Sequence, residues 1–78
     1  MPHISVKMWP GKPEEKKLML AREIARITME ILEVPESSIS VCMREVPREI
    51  WGESVYKPEI LDAPEDVVIP PGYRPEGY

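Results

Sequence analysis

Two short runs of strict two-residue alternation stand on either side of one long helical run, and that order leaves few folds open. In the first run Ile4, Val6 and Met8 fall on one side and His3, Ser5 and Lys7 on the other. In the second, Ile39, Val41 and Met43 alternate with Ser40, Cys42 and Arg44 up to Val46. A period of two marks half-buried strands. Between them Leu20, Ile24, Ile27 and Ile31 recur at offsets of 4, 3 and 4, while Lys16, Lys17, Glu23, Arg26 and Glu30 take other positions. That spacing describes an amphipathic helix of roughly 20 residues, about 30 Å long.

The punctuation agrees with the pattern. Trp9-Pro10-Gly11-Lys12-Pro13 ends the first strand, because neither proline donates to a ladder and Gly11 permits a tight turn. Pro13 followed by Glu14 and Glu15 suits a first helical turn, where a fixed φ costs nothing and acids complement the helix dipole. Pro35 stops the helix. Strand, helix and strand with short connections is the layout of a right-handed crossover between parallel strands, so an α+β subunit with a β-α-β core over residues 2–52 is expected. Residues 53–78 read as a C-terminal arm within the same single domain. Proline and glycine recur there too often for a long helix or a central strand, yet Tyr56, Ile60, Ile69, Tyr73 and Tyr78 argue against a purely solvated tail. The expected course of the arm is across a neighbouring subunit.

A chain of 78 residues buries only about 60% of its unfolded surface, and without disulfides or a metal it leans on a partner subunit. Cys42 is the one cysteine and His3 the one histidine, which leaves neither a disulfide framework nor the ligands of a zinc site. A free cysteine agrees with a reducing, cytoplasmic setting. The net charge of -4, with the ten basic residues scattered, disfavours nucleic acid as a partner. No apolar run approaches the ~20 residues of a membrane helix, and Met1-Pro2-His3-Ile4 lacks the layout of a signal peptide. A homo-oligomer is expected, a dimer ahead of a hexamer.

The chemistry starts at the first strand. Methionine before a small second residue is normally trimmed, and trimming here exposes the ring nitrogen of Pro2 as a secondary amine. Such an amine is a general base near pH 7 only if its pKa is lowered. Apolar burial and a nearby cation both do that, and Trp51 and Lys12 are the residues available for each role. His3 turns away from Ile4 and reads as a surface residue. Cys42 has no cluster of acids or histidines to make it a nucleophile.

The order Pro2-His3-Ile4, Gly11-Lys12, Glu14-Glu15-Lys16, Pro35-Glu36-Ser37-Ser38-Ile39 and Glu45-Val46-Pro47 before Trp51 resembles the tautomerase superfamily, in its 4-oxalocrotonate tautomerase-like group. Val55-Tyr56-Lys57-Pro58-Glu59-Ile60 and Pro71-Gly72-Tyr73 look more like the dimeric phenylpyruvate tautomerase-like branch. The resemblance implies Pro2 as base, no cofactor and no metal, and a small 2-oxo or 2-hydroxy-dienoic acid as substrate. It implies two arginines and an aromatic residue at positions that here hold Lys12, Ser40 and Trp51. Lys12 keeps the charge but not the two-point grip of a guanidinium. Ser40 keeps no charge, which turns the expectation from a diacid to a mono-acid such as an arylpyruvate enol, with Arg44 or Arg48 as possible substitutes. Lys12 is thus read as catalytic beside Pro2, and Ser40 and Trp51 as substrate-binding. Two alternatives stay open: a hydratase or dehalogenase using the same proline with Glu45 or Glu49 activating water, and a non-catalytic oligomeric module of the same fold.

Overall fold

The computed structural model describes residues 1–78. Two parallel strands, β1 (His3–Met8) and β2 (Ser40–Glu45), form one sheet, and a single helix, α1 (Glu14–Leu32), connects them. The register runs from His3 opposite Ser40 to Met8 opposite Glu45. Alternation therefore sorts the sheet into two faces. Ile4, Val6, Met8, Val41 and Met43 lie half-buried on the helix side, whereas His3, Ser5, Lys7, Ser40, Cys42 and Arg44 share the opposite face.

Helix α1 begins after Pro13 and carries Glu14 and Glu15 in its first turn. It stops at Glu33, which turns left-handed at φ 54°, while Val34 N–H reaches back to the Met29 carbonyl at 3.3 Å. That six-to-one hydrogen bond is a Schellman ending, usually built on glycine. None of the residues of α1 is fully buried, and Leu20, Ile27 and Ile31 of the expected core stripe are exposed, Ile31 to 71%. The cause is size: the 19 residues of α1 span about 28 Å, while two strands cover a width of only about 10 Å. A single copy cannot sheathe its own helix.

The chain gathers into two compact units, Met1–Glu45 and Val46–Tyr78. The second departs from the expectation for the tail, because Gly52–Leu61 form a ten-residue π-helix with Pro58 inside it. A proline ring clashes with the carbonyl four residues back in an α-helix, and the wider i→i+5 turn relieves that clash. Asp62 closes the segment, its N–H on the Lys57 carbonyl at 2.9 Å and its carboxylate on Lys57 Nζ at 2.8 Å. Val55 and Tyr56, each 6% exposed, are the core of this unit. The rings of Tyr73 and Tyr78 both pack on Tyr56 at centroid distances of 5.8 Å. Residues 53–78 are thus folded around their own small core and not merely extended. The Tyr78 ring also lies against Gly52, where a Cβ would come within 2.5 Å of it and make it shift.

Candidate active site

Pro2 precedes β1 by one residue and is half-buried, whereas Met1 before it is fully exposed. The Pro2 carbonyl accepts the N–H of Ser40 at 3.2 Å, so the ladder of the sheet extends to the residue that would carry the amine. Ser40 is accordingly beside Pro2. Its hydroxyl also meets His3 Nδ1 at 2.6 Å, and His3 Nε2 lies 3.8 Å from the Cys42 sulfur. Cys42 in turn donates to Ser5 Oγ at 3.3 Å. The Ser5 hydroxyl first, then the guanidinium of Arg44, holds the Cys42 thiol below the usual cysteine range. Arg44 thereby belongs to the polar face of the sheet, beside Cys42.

Lys12 is elsewhere. It follows the C-terminal end of β1, whereas Pro2 stands at the other end of a strand of six residues, on the order of 20 Å long. Within one copy Pro2 and Lys12 do not meet. Lys12 lines an open groove of about 670 Å³ together with Val6, Met8, Trp9, Lys16 and Leu20. Gly11, at φ 118°, makes the turn into it with a backbone that only glycine adopts without strain. Trp9 and Lys16 were not among the residues singled out from the sequence. Their signal was present, Trp9 as a large aromatic at a strand end and Lys16 as a second cation four residues after Lys12.

A second groove, of about 620 Å³, is lined by Leu18, Ala21, Val41 and Met43 with Glu14, Glu15 and Glu45 around them. Lys17 bridges here, 2.7 Å from Glu14 and 3.1 Å from Glu45, and hydrogen bonding to these carboxylates raises its pKa above the usual lysine range. Glu45, one candidate for activating water, is therefore engaged. Trp51 belongs to the second unit, where its indole N–H donates to Tyr73 Oη at 2.9 Å. No group of three or more histidine, cysteine, aspartate or glutamate side chains is placed to hold a metal ion. No helix is long and apolar enough to cross a membrane.

Comparison with known proteins agrees with the parallel-sheet fold. The family model described as "Tautomerase enzyme" matches residues 2–55. A probable tautomerase of Xylella fastidiosa is 38% identical over 73 residues, 94% of this chain and 89% of that protein. Tautomerase PptA of Cronobacter sakazakii is 35% identical over 75 residues, 95% of this chain and 99% of its own length. Among solved structures, TomN, a 4-oxalocrotonate tautomerase homologue of the tomaymycin biosynthetic pathway, superposes with a TM-score of 0.62 at 26% identity, covering 64% of this chain and 77% of TomN. With the family match beginning at the residue that heads β1 and extending over more than half of the sequence, the chain belongs to the tautomerase family.

Proposed function

We propose that the protein is a cofactor-independent enol-keto tautomerase acting on a small 2-oxo acid such as an arylpyruvate enol, with Pro2 as the base once Met1 is removed. The observation that carries this reading is the family match starting at Pro2, a half-buried residue heading β1 behind a fully exposed Met1. An exposed Met1 is accessible to trimming, and the resulting ring nitrogen has no rotamers to search. To serve as a base near neutrality it needs its protonated form disfavoured, which apolar burial and a nearby cation both do. The neutral nitrogen takes the proton of the enol hydroxyl, the carbonyl forms as the carbon-carbon double bond is lost, and the same proton is delivered to C3. A cation beside the carboxylate and the 2-oxygen stabilises the negative charge between the two transfers.

Lys12 is that cation only if a second copy brings it. Neither edge of the two-stranded sheet pairs with another strand, and two-fold pairing of β1 with β1 of a second copy is necessarily antiparallel. Such a dimer sets Pro2 of one copy near the Met8 end of β1 of the other, where Lys12 and its groove lie. It also brings a second surface to the exposed apolar side chains of α1. Ser40 borders the substrate beside Pro2, and Trp51 supplies the aromatic wall that the family pattern assigns to its position. In this reading residues 1–78 act as one tautomerase domain, with 53–78 as its C-terminal arm on the neighbouring copy. Lys17 engages Glu45, one of the two carboxylates that the hydratase reading offers to activate water, and leaves Glu49 as its remaining candidate.

The test is ketonisation of phenylenolpyruvate by protein whose intact mass shows loss of Met1. Pro2→Ala, with the fold retained, should lower kcat/KM by about 100-fold or more, the scale of a general base. Undiminished turnover would refute the assignment, and halide release from a 3-haloacrylate with no ketonisation would favour the hydratase reading.

A further inference from the structure

The first turn of α1 separates its charges. The groove beside β1 is lined by Lys12, Lys16 and Lys17 and by no acid, while Glu14, Glu15 and Glu45 line the groove beside β2. Lys17 is neutralised by Glu14 and Glu45, and neither Lys12 nor Lys16 takes part in an ion pair. In a chain of net charge -4, two unpaired cations therefore face one apolar groove. An apolar groove that also carries two lysines fits an anion with a flat apolar body and a single charged head.

We propose that Lys16 is a second carboxylate-binding residue, acting with Lys12 so that two ammonium groups give the two-point grip that one guanidinium would give alone. This rests on the tautomerase reading for the identity of the anion, a 2-oxo acid, but adds a residue to it. Lysine is a point charge and cannot bind both oxygens of a carboxylate in a planar fork, whereas two lysines approaching from the loop and from the helix can take one oxygen each. Trp9, Met8 and Leu20 then face the apolar body of the ligand.

Binding is read with 2-hydroxy-3-phenylpropanoate, which cannot ketonise, and with its uncharged amide, by calorimetry on the full chain. Lys16→Gln should weaken binding of the acid about tenfold, the low end for a hydrogen bond to a charged group, and leave the amide unchanged. Lys12→Arg placed in the Lys16→Gln protein should restore most of the loss, because a guanidinium supplies both donors. In turnover of phenylenolpyruvate the Lys16→Gln change should appear in KM and not in kcat. Equal affinity of wild type and Lys16→Gln for the acid, an equal loss for the amide, no binding by wild type, or failure of Lys12→Arg to restore affinity would each overturn the proposal. Loss of the base reading shows separately, as turnover that survives Pro2→Ala while Lys16→Gln still weakens binding.

Discussion

Cys42 illustrates how a strand places chemistry without intending a site. It is the one cysteine of the chain, and register alone puts its sulfur beside Ser5 Oγ and near His3, while Arg44 follows two residues later on the same face. The Ser5 hydrogen bond and the Arg44 charge favour the thiolate, which is the form that reacts. Alkylation by iodoacetamide, followed by intact mass across a pH series, should reach half its limiting rate below the usual thiol pKa. Arg44→Ala should move that midpoint upward; an unmoved midpoint would show that the guanidinium does not act on the thiol. At the same scale residue type and position bring Pro2 and Lys12 forward as candidates, but not their separation. Alternation gives the face of a strand, and no property of a single residue reports that the two stand at opposite ends of β1.

Elements were the most readable level, because a period of two and a period of 3.6 cannot be mistaken for each other over runs of this length. The expected strands and helix agree with β1, α1 and β2 to within a residue or two. The density of proline and glycine in the tail speaks against a long helix but does not report the ten-residue segment that forms there, since an i→i+5 turn tolerates Pro58. How α1 is tied to the sheet was equally invisible, since it depends on Lys17 reaching Glu45, 28 positions later, while holding Glu14. Glu45→Gln should lower Tm by removing one of these pairs. Because the pKa of Lys17 is raised on folding, its contribution is fully present below the unfolded lysine value of about 10.4 and is lost as pH rises through the higher folded value. The gap in Tm between wild type and Glu45→Gln should accordingly persist from pH 7 to about 9 and narrow above about 10.4. A gap that stays constant through that range would assign the loss to something other than the lysine pairs.

The whole molecule carries the part of the account that one chain cannot contain. Only Val55 and Tyr56 are fully buried in the isolated copy, α1 exposes Leu20, Ile27 and Ile31, and the candidate base and its cation occupy opposite ends of one strand. The antiparallel pairing of β1 edges proposed above would bring the base and the cation together and set a second surface beside the helix. Length alone raises the expectation of a partner, but the proposed pairing edge rests on where the lysine groove lies, and that is a property of the folded chain. The decisive measurement is subunit complementation. Pro2→Ala and Lys12→Met proteins, each inactive by itself toward phenylenolpyruvate, are unfolded together, refolded at equal ratio and assayed. If Pro2 of one copy works with Lys12 of the other, half the dimers hold one intact site of two, and about one quarter of wild-type activity returns. No activity above that of the separate variants would contradict a site shared between two copies.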